Sequence, residues 1–285
     1  MMKKSAIILF LAILLPLSCN KEVPHTESRL VVEGWIESGG HPIVRLSESL
    51  LVEVDKEIKP LDFLDNVVKW ARVTVSDGDT TMLLTGVVDP NYFPPYVFST
   101  SHMTGMVGKT YELRVEYKDY VATAKTTIPE PVSLDTVYVA SVKDSLCHVV
   151  CGFTDPPRKG NNYKLFTRTE GIDSHYHPSA LAQTDDELLD GYTEVFLYST
   201  MRLMDFIAIP NIRLGNEFWV KLCTMDAEAY NFWRYYEVIL YANVFNAETG
   251  TVMDGNVDGA LGYWIGYGVA DPVHIMLEDP GVKEQ

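Results

Sequence analysis

Histidines, acids and thiols recur in this chain at spacings that invite chemical readings. His175 and His177 flank Tyr176, close to Asp173 and to Asp185-Asp186. In an extended segment both imidazoles share a face, and imidazole suits zinc, copper or nickel. The plainer reading is a pair of solvated loop histidines ahead of Pro178. Asp254, Asn256, Asp258 and Gly259 repeat the first half of a calcium loop, D-x-N-x-D-G. Such a loop needs a carboxylate at its twelfth position, where Ile265 stands, so a tight turn of residues tolerant of positive φ is the simpler account. Calcium is the only cofactor the pattern raises, and the expectation is none. Cys147 and Cys151 sit four apart in an apparent strand, roughly 13 Å along the chain, too far to bridge each other. Buried thiols, or one bridge to Cys223, both stay open. Ser101 and His102 are neighbours that point opposite ways on a strand. No G-x-S-x-G or H-E-x-x-H occurs, and nothing marks two acids as a facing pair. No catalytic residue is assigned, and the chain is read as a non-enzyme. Last, Tyr92-Phe93-Pro94-Pro95-Tyr96 sets rings in a loop. There Tyr92, Phe93 and Tyr96 are placed to stack on a sugar or line a partner contact, unless the loop packs down on its own strands.

A further cysteine bears on location. Met1-Met2-Lys3-Lys4, the apolar run Ile7 to Leu17, and Ser18-Cys19 read as a secretory signal. The run is short of the roughly twenty apolar residues a membrane-spanning helix needs. Leu17-Ser18-Cys19 resembles the lipobox of bacterial lipoproteins, with Pro16 where a leucine is usual. In that class the peptide is cut before the cysteine, which then carries the lipids. One acyl chain binds a membrane only marginally, whereas several hold it. The expectation is therefore a signal at 1–18, lipidation of Cys19 and a short polar tether at 19–28. The competing reading is a secreted protein whose Cys19 pairs elsewhere. Removing Lys3 and Lys4 with the signal takes the formal charge from −16 to −18. That balance argues against a nucleic-acid partner, which needs a basic footprint.

The elements that must position these residues are mostly strands. Leu30 to Ile36, Pro42 to Leu46, Ala71 to Ser76, Thr80 to Leu84, Tyr96 to Ser99, Gly108 to Tyr117 and Tyr120 to Thr127 alternate or are β-rich, with turns such as Asp77-Gly78 between them. A loop over Ser47 to Val68, with a short helix at Leu61 to Asn66, interrupts them. About seven short strands in 29–127 give an Ig-like or transthyretin-like sandwich. Ile128-Pro129-Glu130-Pro131-Val132 opens a linker at 128–135. A second sandwich is expected over 136–281, with strands at Thr136 to Val142, Cys147 to Phe153, Tyr163 to Thr169, Thr193 to Ser199, Asp205 to Ile209 and Glu217 to Thr224. Gly171 to Gly191 is polar and acidic and reads as an insertion. A helix over 227–245 is capped by Asp226, with Ala229, Phe232, Trp233 and Tyr236 at helical spacing. A glycine-rich turn then leads into a strand to Tyr267, and Val273 to Leu277 ends the sheet. The fold class is mainly β, as two tandem sandwiches, the second with one amphipathic helix.

The helix with its aromatics, followed by N-x-x-G-x-L-G-Y-W-x-G-Y from Asn256 to Tyr267, resembles the C-terminal pattern of lipoproteins grouped as domain of unknown function 4249. Leu30-Val31-Val32-Glu33-Gly34-Trp35-Ile36 behind a lipobox, Gly108-Lys109-Thr110-Tyr111 and Thr127-Ile128-Pro129 match in character as well. The resemblance implies a Bacteroidota outer-membrane lipoprotein that assists a TonB-dependent receptor in nutrient capture, with a small-molecule, glycan or peptide ligand left open. It supplies no catalytic residues. A structural or adhesive surface sandwich is the alternative, and a hydrolase with an unrecognised site the third. Which face of the outer membrane carries the protein is left open.

Overall fold

The computed structural model describes residues 28–49, 64–187, 191–197, 199–201, 211–244 and 255–281, with helix side chains described as far as Val238. The signal, Cys19, most of the tether, Asp254 and the strand expected at Asp205 to Ile209 lie outside the described residues.

Strands β1 (Leu30–Glu37) and β2 (Ile43–Glu48) pair antiparallel around the Ser38-Gly39-Gly40 turn. Strands β3 (Arg72–Ser76) and β4 (Thr81–Leu83) turn at Asp77, whose Oδ1 accepts from the Asp79 and Thr80 amides at 3.1 and 2.8 Å. Strands β5 (Thr85–Val87), β6 (Val97–Ser99), β7 (Thr110–Tyr117) and β8 (Tyr120–Thr127) follow. β1, β2, β6 and β5 lie in one sheet and β4, β3, β7 and β8 in another. Alternation explains the packing: Leu30, Val32 and Ile36 of β1 meet Tyr111, Leu113 and Val115 of β7 in one core.

The second half repeats the arrangement. Strands β9 (Leu134–Lys143), β10 (Leu146–Thr154), β11 (Asn162–Thr169), β12 (His177–Asp185), β13 (Tyr192–Leu197) and β14 (Glu217–Met225) lead into helix α1 (Ala227–Val244), then β15 (Leu261–Val269) and β16 (Val273–Met276). β13, β10 and β9 form a small sheet over a core that includes Val149, Phe153, Tyr163, Phe218 and Val220. One expectation is corrected here. The stretch 171–191 is not an unstructured insertion, because β12 lies inside it and pairs with β11. Its inward residues are Ser179, Ala180 and Ala182, too small to register as an apolar run.

A division at 128–135 fails at the end of the chain. β15 runs parallel to β1, from Val31 opposite Leu261 to Glu37 opposite Tyr267, and also meets β14 at Cys223 and Thr224. The result is a single nine-stranded sheet that serves both halves. Trp264 of β15 is fully buried in the N-terminal core, and its indole N–H donates to the Tyr111 carbonyl at 3.0 Å. Gly34 leaves room for that ring, since a Cβ there would stand 2.8 Å from Trp264 Cε3. The two sandwich-like halves are therefore stitched into one body, not strung in tandem. A mainly β chain with a late helix is what the structure contains; the independence of its halves is not.

Candidate functional site

The nine-stranded sheet gives one face to the two cores. Its opposite face carries α1 and a cavity of about 1380 Å³, larger than an ordinary small-molecule pocket. The residues on the floor follow from register. Across β15, β1 and β2 one row reads Tyr263, Glu33, Arg45, and the next reads Ile265, Trp35, Ile43. Glu37 stands opposite Tyr267 one row further on. On β1 these are the alternate positions that face away from the N-terminal core. They are half-buried because the cavity, not bulk solvent, lies above them.

Two cross-strand ion pairs cross that floor. Arg45 meets Glu33 at 2.8 Å and Lys221 of β14 meets Glu37 at 2.7 Å. Glu33 and Arg45 stand directly opposite on paired strands and hold each other's rotamers, whereas Lys221 reaches Glu37 past β15. The second guanidinium N–H of Arg45 donates to the Phe93 carbonyl at 2.8 Å and so ties the aromatic loop to the floor. Arg45 Nε is buried without a hydrogen-bond partner. Lys221 also lies 4.6 Å from the Tyr176 ring centre, a cation–π distance.

The aromatic loop and the histidine pair, unrelated in sequence, converge here. Tyr92 lies tilted 5.9 Å from Trp35 and 4.9 Å from His175, and His175 lies 4.2 Å from His177. Burial, then the Arg45 guanidinium, pushes the His175 imidazole below its ordinary range, so it is neutral at neutral pH. Burial raises the Tyr92 phenol. Phe93 lies on the wall. Tyr96 reaches the wall too, but packs against the N-terminal core and donates its hydroxyl to the Lys69 carbonyl at 3.2 Å.

Metal readings fare differently. Asp173 lies 3.7 Å from His177 Nε2, yet its other oxygen accepts the Thr169 amide at 2.7 Å and closes a turn. Among the described residues no set of three His, Cys, Asp or Glu converges to hold a metal. Asn256 gives its amide to the Trp264 backbone, accepting at 2.8 Å and donating at 2.8 Å, and Asp258 bridges by its backbone to Thr123. The segment is a brace that feeds β15 into the sheet.

The helix forms one wall. Asp226 caps it by accepting the Ala229 amide at 2.8 Å. Phe232 and Trp233 pack on the sheet, and the Trp233 indole donates to the Tyr267 hydroxyl at 2.9 Å. Glu237 accepts from the fully buried Lys164 at 2.8 Å and from the Leu181 amide at 3.0 Å. Burial pulls the Lys164 ammonium down and Glu237 holds it back up.

The three described thiols are free and buried. A bridge from Cys223 is ruled out by topology. Cys147 and Cys151 sit in the core between β10 and the large sheet, whereas Cys223 faces α1 on the other side of that sheet.

Sequence reading missed Glu33, Trp35, Glu37, Arg45 and Lys221. One signal was present: Lys221 interrupts the apolar run Phe-Trp-Val-Lys-Leu-Cys, as Lys164 interrupts β11. A charge at an inward-capable position of such a strand announces a buried partner.

The family described as "Domain of unknown function (DUF4249)" matches residues 19–271. No curated protein matches. A solved structure titled "Cytokine receptor complex - Crystal form 1A" is similar over 87% of this chain and 96% of that one, at 7% identity and a TM-score of 0.26, a likeness too loose to carry any argument.

Proposed function

We propose a role for this chain, which belongs to the family of domain of unknown function 4249, from the cavity it builds. It is a binding protein, held by acyl chains on Cys19 at the bacterial outer membrane, that presents a ligand to a TonB-dependent receptor. The observation that carries this reading is the convergence of the Tyr92 loop, the His175–His177 pair and two floor ion pairs on one large cavity. Such a site has rings to cover a ligand and fixed charges to orient it, and among the described residues none is paired as nucleophile and base. The strongly acidic chain suits a body held off an anionic lipid surface. A second reading, surface adhesion, has one observation in its favour: Tyr138, Tyr192 and Phe196 are exposed on the outer face of the three-stranded sheet.

The test is affinity purification of the chain from its own membrane after labelling with a fatty-acid analogue. Label on the wild type, none on Cys19→Ala, and a co-purifying β-barrel receptor are expected. An unlabelled wild type refutes the anchor, and a labelled protein without a barrel refutes the transport role.

A further inference from the structure

We infer that the cavity takes a neutral oligosaccharide, lying across β1 with a sugar ring on Trp35. The inference rests on the binding role proposed above and names the ligand class. Four observations select it.

The first is charge. The lining carries Glu33, Glu37 and Glu48 against Arg45, Arg168 and Lys221, so it is balanced in a chain whose formal charge is −16. A charged ligand would face no net complement. The second is the ladder. Central in the floor, β1 is bonded along its length to β15 on one side and to β2 on the other. It presents no open edge, which an extended peptide docking by strand addition requires. Hydrogen bonding is left to side chains. The third is what those side chains are. Glu33 and Glu37 keep 35% and 29% of their surface, each beside a cation, so an acceptor and a donor stand together at both sites. Adjacent hydroxyls, each donor and acceptor at once, match such pairs. A hydrocarbon chain would instead bury these charges against alkane, which is costly.

The fourth is spacing. Glu33, Trp35 and Glu37 alternate on one face of β1, so the ion pairs stand roughly 13 Å apart with the indole midway. Charged pair, flat ring, charged pair is the sequence of contacts an oligosaccharide of a few rings presents: hydroxyls, a C–H face, hydroxyls. Tyr92, 5.9 Å from Trp35, supplies a second ring for the same stack.

The experiment is titration of the full mature protein with soluble neutral oligosaccharides of glucose, xylose, mannose, galactose and fructose, followed by calorimetry and by ligand-observed NMR. A tryptic peptide mixture and decanoate are run beside them. At least one oligosaccharide is expected to bind, with affinity unchanged between low and high salt because no charge is neutralised. Trp35→Ala and Tyr92→Ala should each weaken it about tenfold. Glu37→Gln, which keeps shape, should weaken it while leaving the melting temperature within a few degrees of wild type, so a loss is not mistaken for unfolding. Failure of every oligosaccharide overturns the inference, whatever the peptides or decanoate do. Binding that survives all three substitutions overturns the site. Either failure leaves the receptor pull-down unaffected, so the broader role stands or falls separately.

Discussion

Replacing Trp264 by alanine tests whether the last strands belong to the first sandwich. The indole is fully buried, lies over Gly34 and donates to the Tyr111 carbonyl at 3.0 Å. Deleting it removes a large core side chain, at about 3–5 kcal/mol, and one hydrogen bond to a carbonyl that keeps its strand partner Thr126, at about 1 kcal/mol. The expected loss, roughly 4–6 kcal/mol, is comparable to the whole stability of a marginal domain, in a range of about 5–15 kcal/mol. Urea unfolding followed by amide hydrogen exchange is the assay, because amides of β7 and β8 report on the N-terminal half and those of β10 and β11 on the other. With the nine-stranded sheet shared, Trp264→Ala shifts the N-terminal amides at least as far as the C-terminal ones. A Trp264→Phe chain should recover most of the packing but not the hydrogen bond. The reasoning is refuted if the N-terminal transition moves by less than about 1 kcal/mol, or if residues 28–135 alone unfold cooperatively at the wild-type urea concentration.

Breaking the buried pair that pins α1 should be nearly as costly: Glu237→Gln leaves the Lys164 charge uncompensated, and chemical denaturation should read a loss of about 3–5 kcal/mol. The double change Lys164→Met with Glu237→Leu should recover part of this and not all, since the Leu181 amide loses its acceptor as well. The thiols should not react with a maleimide in the native protein and should all react in urea. Burial lifts Cys151 to about 12 and raises Cys223 further, and equal masses under reducing and non-reducing conditions would accompany this. Asp77 is held well below the usual carboxylate range, first by its hydrogen bond with Lys109 at 2.8 Å. Its contribution is therefore present above the unfolded value of about 3.9 and lost as pH falls through its lower folded value. The drop in melting temperature from pH 5 to pH 3 should be smaller in Asp77→Asn than in wild type, and an equal drop would discount the pair.

What could be read in the sequence was whatever a short window contains. β7 and β8 were legible because Tyr111, Leu113, Val115 and their partners alternate without interruption. α1 was legible from its cap and its aromatic spacing. β12 was not, since alanines and serines fill its inward positions, and small residues suffice where the neighbouring layer comes close. The parallel match of β1 with β15 was beyond reach, because residues some 230 apart meet there and nothing local specifies that register. The same distance hid the cavity. Glu33 and Arg45 look like the polar half of ordinary alternation until a helix and two loops close over them. The histidines and the Tyr92 loop were noticed one by one, but only the fold makes them neighbours.

The position of β15 has a consequence for how the chain reaches its native state. β1 is made some 230 residues before the strand that fills its open side. Contacts of such sequence separation slow folding, and until they form β1 presents a row of unsatisfied amides and carbonyls to any other chain. Completion is therefore a late event, and a nascent chain stalled before Leu261 is an aggregation hazard rather than a half-built but safe domain.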